Sequence, residues 1–256
     1  MYRYFYFPDR VRYDTPERAG LSFETVYFSS SDGTCLSGWF IPATGVANPQ
    51  AAKGTVVHMH GNAQNMSAHW TYTEWLPERG YNLFVFDYRG YGSSQGSPEP
   101  QGIFEDAIAA LDCMRARTDI DTGRLFVFGQ SLGGMLAIAA VGASPQGIRG
   151  VLAEAPVHSY TAWADDQMPE KELALDDSYC ADNYVARLSP IPLLLLHSRT
   201  DKVVPYSHSV RLLSEAQEPK RLVTIEEGAH NDAMSTRHGS VYQDMMVEFF
   251  GAACDN

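Results

Sequence analysis

The spacing with the most chemical content in this chain is Gly129-Gln130-Ser131-Leu132-Gly133, a serine with glycine two residues before it and two after. A serine hydroxyl is a poor nucleophile at neutral pH. It becomes a good one when a base lies within hydrogen-bond reach and a third group orients that base. The glycines suit a backbone that turns at the serine from a strand directly into a helix, where Cβ atoms two residues away on either side would collide. Leu125–Phe128 is a short apolar run rich in aromatic and β-branched residues, and Met135–Val141 is rich in Ala, Leu and Met. The first predicts a buried strand and the second a buried helix. Such a turn holds the hydroxyl above the sheet, near a helix N-terminus that favours developing negative charge. Ser131 is the candidate nucleophile.

The base and the orienting acid are sought after it, in the chain order Ser, acid, His. Asp201 lies in Ser198-Arg199-Thr200-Asp201-Lys202-Val203-Val204-Pro205, just past the predicted strand Pro192–His197. His230 lies in Glu227-Gly228-Ala229-His230-Asn231-Asp232, just past the strand ending at Glu226. Both follow the C-terminal ends of strands, where the loops of such a sheet gather around a site. Of the eight histidines, His230 alone occupies a loop after a late strand with a glycine in its approach. Glu154, at the end of the preceding strand, and Asp232 are rival acids, and a turn or helix-cap role is the alternative for Asp201. An acyl-transfer site also needs backbone N–H donors for the oxyanion. Leu132 N–H is one candidate and Asn62 N–H the other, with Ala63 the neighbour that would replace it. His58 and His60 share a strand face, but a zinc site needs a third ligand. Packing and loop-holding are expected of them, and no metal or cofactor is expected. Asp87 and Arg89 are expected to brace their loop as an ion pair.

The elements that must position these residues alternate. Phe23–Ser29 and Cys35–Ile41 flank Asp32-Gly33, a hairpin signal. Buried strands are predicted at Gly54–His60, Asn82–Asp87, Gly150–Ala155, Pro192–His197 and Lys220–Glu226, besides the strand before Ser131. Helices are predicted over Ser67–Arg79, Ile103–Arg117 and His238–Phe250. Strand–helix alternation requires a mostly parallel sheet, here of about eight strands, with helices on both faces and an antiparallel N-terminal hairpin. One domain, residues 1–256, is expected. It carries one insertion, 157–190, longer than a crossover needs. The insertion holds seven acids (Asp165, Asp166, Glu170, Glu172, Asp176, Asp177, Asp182) against Lys171 and Arg187. A small lid over the site and a solvated surface helix pair both fit that composition.

A formal net charge of −12 over 256 residues argues against a nucleic-acid or anionic-membrane partner. No run of about 18 apolar residues occurs, so no stable membrane insertion is expected. Met1–Arg10 has no basic segment followed by an apolar core, so no signal peptide is expected. Cys35, Cys113, Cys180 and Cys254 form no CxxC pair and read as reduced thiols of a cytoplasmic protein.

Five stretches, His-Gly-Asn-Ala at 60–63, Asp-Tyr-Arg-Gly-Tyr-Gly-Ser-Ser at 87–94, Gly-Gln-Ser-Leu-Gly-Gly at 129–134, His-Ser-Arg-Thr-Asp-Lys-Val-Val-Pro at 197–205 and Gly-Ala-His-Asn-Asp at 228–232, together resemble the α/β-hydrolase superfamily. More narrowly, they resemble a small-lid branch that includes prolyl-oligopeptidase-like serine peptidases and protein depalmitoylases. The likeness runs from about residue 23 to 250. It implies a Ser131–Asp201–His230 triad, in agreement with the assignment from the residues. Gln64 and Ser198 stand where relatives usually carry glycine. The activity implied is a serine hydrolase that cleaves carboxylic esters or thioesters of small to medium acyl substrates through an acyl-enzyme. An aminopeptidase or oligopeptidase of the same fold is the alternative within enzymes, and a silent binding module the alternative outside them.

Overall fold

The computed structural model describes residues 4–171 and 173–254. The hairpin forms as β1 (Glu24–Ser29) and β2 (Cys35–Ile41), antiparallel from Glu24↔Phe40 to Ser29↔Cys35. Six strands follow: β3 (Thr55–Met59), β4 (Asn82–Asp87), β5 (Leu125–Gln130), β6 (Ile148–Glu154), β7 (Leu193–Ser198) and β8 (Lys220–Ile225). They form one sheet in the order β1-β2-β4-β3-β5-β6-β7-β8. β2 meets β4 antiparallel, and from β4 to β8 every neighbour is parallel. The helices are α1 (Met66–His69), α2 (Pro100–Arg115), α3 (Leu132–Ala143), α4 (Tyr160–Gln167), α5 (Ser207–Glu215) and α6 (Val241–Cys254).

Both faces of the sheet are covered, which is why its central strands are continuously apolar rather than alternating. Val57, Phe84, Val127, Val151 and Leu195 pack in one core layer with Leu111 of α2, Leu136 of α3 and Leu212 of α5. Their neighbours Val56, Leu83, Phe126, Leu152 and Leu194 pack in the other with Trp70 and with Met246 and Phe250 of α6. Parallel strands pointing the same way bring the ends of β3, β5, β7 and β8 to one edge, and the candidate residues with them.

Three expectations are corrected. The helix expected over Ser67–Arg79 is broken into the single turn α1 and short 3-10 turns at Trp70–Tyr72 and Pro77–Arg79. Thr73 Oγ1 donates to Trp70 O at 3.0 Å, and Pro77 has no N–H to continue a helix. The last helix begins at Val241 rather than His238, because a 3-10 turn over Thr236–His238 ends at Gly239 with φ 61°. Among its described residues the insertion holds one α-helix, α4, rather than a pair; two 3-10 turns at Ala181–Asn183 and Val185–Arg187 follow it. Tyr160, Cys180, Ala181 and Val185 anchor it in the core layer of α3, while Asp165, Glu170 and Asp176 face solvent and Asp166 accepts from the buried His208 Nε2 at 2.8 Å. Glu172 lies outside the described residues.

Candidate active site

Ser131 sits between β5 and α3 with φ 57° and ψ −117°, a backbone conformation that costs about 1–3 kcal/mol. Its surroundings impose the turn. A Cβ on Gly133 would lie 2.0 Å from Met59 O, and one on Gly129 would lie 2.2 Å from Gly133 O. These glycines let α3 press against β3 and β5, and the strain at Ser131 is held by that packing. Ser131 N donates to Glu154 O at 2.9 Å, and Ser131 O accepts from Met135 N and Val157 N. The serine is 6% exposed.

The structure brings His230 and Asp201 together: His230 Nδ1 lies 2.7 Å from Asp201 Oδ2. Val203 N and Val204 N donate to Asp201 Oδ1 at 2.8 and 3.0 Å, so the carboxylate is gripped on one oxygen and presents the other to the imidazole. Burial opposes its ionisation, but hydrogen bonds from His197 and His230, the charge of His230 and the Val203 N–H outweigh burial and hold it well below the usual carboxylate range. Ser131 Oγ makes no hydrogen bond to His230 among the described residues. Leu132 N–H is the first of α3 and has no acceptor within the helix, and Asn62 N–H donates to no group among the described residues.

The rival acids have other work. Glu154 is 2% exposed; it accepts from Gln130 Nε2 at 2.8 Å and from Ala233 N at 2.8 Å. It ties Gln130, the residue before Ser131, to the loop that carries His230. Burial, against those two hydrogen bonds, pushes its carboxyl up to about 7. Asp232 accepts from Ala229 N at 2.8 Å and faces His238, closing the turn at His230 with Asn231 at φ 58°. His58 bonds Thr73 Oγ1 and Gln130, and His60 bonds Gly61 O, so both serve protein contacts. The expected Asp87–Arg89 pair does not form. The Arg89 guanidinium grips Asp106 with three hydrogen bonds, its backbone N–H adds a fourth, and it reaches Asp32 in the β1–β2 turn at 2.9 Å, while Asp87 accepts from Met66 N.

Both departures from glycine have a structural use. Gln64 has φ 62°, the left-handed conformation glycine adopts readily, and its carbonyl accepts from Asp9 N. Ser198 Oγ donates to Gly228 O at 2.8 Å, tying the loop of Asp201 to that of His230. The reading of the residues missed the tie through Gln130 and Glu154, whose one signal is a carboxylate ending an otherwise apolar strand. It also missed α4's attachment to the acid loop, where Trp163 Nε1 and Gln167 Nε2 both donate to Val203 O.

Residues 67–256 match the family described as prolyl oligopeptidase family. The chain is 46% identical over 252 residues to the uncharacterized protein YfhR of Escherichia coli K12, covering 98% of this chain and 87% of that one. It is 31% identical over 253 residues to the alpha/beta hydrolase domain-containing protein WAV2 of Arabidopsis thaliana, covering 92% and 80%. Among solved structures, the Pyrococcus furiosus esterase Pf2001 superposes with a TM-score of 0.80 at 20% identity, covering 98% of each chain.

Proposed function

The chain belongs to the prolyl oligopeptidase family within the α/β-hydrolase superfamily, and from that premise we propose that it is a serine hydrolase of carboxylic esters or thioesters with small to medium acyl groups. The observation that carries the reading is the 2.7 Å His230–Asp201 hydrogen bond at the same edge of the sheet as the strained Ser131 turn. In this mechanism Asp201 fixes the tautomer of His230 with its proton on Nδ1, leaving Nε2 as base. His230 Nε2 takes the Ser131 proton as Oγ attacks the carbonyl carbon. The oxyanion is received by Leu132 N–H and Asn62 N–H. The proton then passes to the leaving alcohol or thiol, and the acyl group stays on Ser131 Oγ. Water, deprotonated by the same imidazole, releases the acid. A cytoplasmic setting belongs to the same reading, supported by the four free thiols.

The family's peptidase name favours a second reading, cleavage of an amide by the same residues. Turnover of p-nitrophenyl esters, acyl thioesters and aminoacyl anilides, wild type beside Ser131→Ala, separates them. Ester or thioester turnover lost in the variant supports the first reading. Turnover of anilides alone supports the second, and equal turnover by both proteins contradicts the two together.

A further inference from the structure

Four consecutive carbonyls past β3 are each held by a side chain. Tyr88 Oη donates to His60 O at 3.1 Å, His60 Nδ1 to Gly61 O at 2.7 Å, Tyr91 Oη to Asn62 O at 2.8 Å and His69 Nε2 to Ala63 O at 3.0 Å. Phe7 N adds a second bond to Asn62 O at 2.8 Å. A trans peptide is planar, with its C=O and the next N–H pointing in opposite directions. Fixing Gly61 O therefore aims Asn62 N–H, and fixing Asn62 O aims Ala63 N–H. These are the two N–H groups from which an oxyanion donor is drawn.

The clamp also lies close to the nucleophile. A Cβ placed on Gly61 would be 3.3 Å from the His69 ring and 3.9 Å from Ser131 Cβ. His69 is the member that packing does not account for. Its Nδ1 is buried with no hydrogen-bond partner, and an apolar residue in that place would avoid that penalty. Burial pushes its imidazole down to about 3, so it stays neutral and its proton stays on the nitrogen that faces Ala63 O.

We propose that Tyr91 and His60 are positioning residues that aim the oxyanion N–H donors by gripping the carbonyls behind them, and that His69 is a third, steadying the same loop one peptide further on at Ala63 O. The proposal rests on the serine-hydrolase reading. Its residues act through backbone N–H groups, so their effect falls on kcat rather than KM, because an oxyanion exists only after the attack.

The test compares wild type with Tyr91→Phe, His69→Leu and His69→Gln. It reads kcat and KM on a p-nitrophenyl ester, fluorophosphonate labelling, and the thermal unfolding midpoint. Tyr91→Phe and His69→Leu should each lower kcat roughly tenfold, against the hundredfold or more lost with a donor itself, with KM within about twofold. His69→Gln, whose amide places an N–H near the lost Nε2–H, should recover most of kcat. If wild type is labelled while Tyr91→Phe and His69→Leu keep kcat within twofold, or lose activity through KM, the clamp has no part in catalysis. If His69→Leu shows no unfolding transition, Tyr91→Phe decides by the same criterion. If wild type is neither labelled nor active, the hydrolase reading fails and this inference fails with it.

Discussion

Asp201 and Glu154 are both buried carboxylates at the same edge of the sheet, and their surroundings drive them in opposite directions. Two imidazoles and two backbone N–H groups keep Asp201 ionised. Glu154 has hydrogen bonds but no cation, and burial lifts it to about 7. Asp201→Asn should therefore lower kcat/KM by about three orders of magnitude or more, since the imidazole is left in the wrong tautomer, whereas Glu154→Gln and Asp232→Asn should be mild. Steady-state rates on one ester check this, and a larger loss in Glu154→Gln than in Asp201→Asn would move the acid's role to Glu154. The two carboxylates also differ in linkage. Asp201, depressed, contributes stability that is lost only in strong acid. Glu154, raised from 4.5 to about 7, contributes stability that is present below 4.5 and lost as pH rises to about 7. That shift corresponds to about 3 kcal/mol. Urea unfolding at pH 5 and pH 8, a window that opens above 4.5, should show wild type losing about 2–3 kcal/mol relative to Glu154→Gln, and a constant difference would contradict the assignment. The places of Ser131, Asp201 and His230 in the fold were legible because each sits in a short loop after a recognisable strand. Arg89's partners were not, since Asp32 and Asp106 lie 57 and 17 residues away in sequence and only the fold brings them together.

The elbow is an element whose glycines are set by close approach of backbone to backbone. A Cβ at Gly133 meets Met59 O at 2.0 Å, and neither strand nor helix has room to retreat. Gly133→Ala should lower the unfolding free energy by about 3 kcal/mol or more. Gly251→Ala, on α6 where nothing lies within 4 Å of the added Cβ, should instead be neutral or stabilise by up to about 1 kcal/mol. Equal effects in urea unfolding would remove the steric reason for the motif. The insertion makes a second element-scale prediction. α4 is fastened beside Asp201 through Val203 O, and Phe5 rests on Trp163 and Tyr160 with ring centroids 5.1 and 4.9 Å apart. Its outward acids then put a negative potential near the approach to Ser131. A neutral ester should be favoured in kcat/KM over its carboxylated analogue at about 20 mM salt. The preference should shrink at about 500 mM, where screening is several-fold shorter. A preference independent of salt would make the acidic segment a solvated face only. Strand positions were readable to within a residue or two because buried runs are short and bounded. The stretch after β3 was not, because Thr73 and Pro77 act on backbone hydrogen bonds that apolar spacing does not reveal.

At the scale of the whole molecule, the sheet order follows from few rules. Alternating strands and helices require parallel pairing with crossovers, and crossovers of one hand leave few arrangements. The place of the N-terminal segment followed from none of them: residues 7–8 pair with 63–64 beside the oxyanion loop, and Tyr6 Oη meets Tyr160 Oη at 2.5 Å. Contacts of that separation carry no local sequence pattern. The net charge of −12 makes neutral rather than anionic substrates the class to try first. The proposed mechanism turns on one activated serine, so the most direct measurement is covalent. Wild type, Ser131→Ala and His230→Ala are treated with a fluorophosphonate, their intact masses recorded and the modified peptide sequenced. One adduct on wild type, located at Ser131, absent from Ser131→Ala and strongly slowed in His230→Ala, is the expected result. An adduct at another residue, or equal labelling of wild type and Ser131→Ala, would contradict the assignment of the nucleophile and the mechanism built on it.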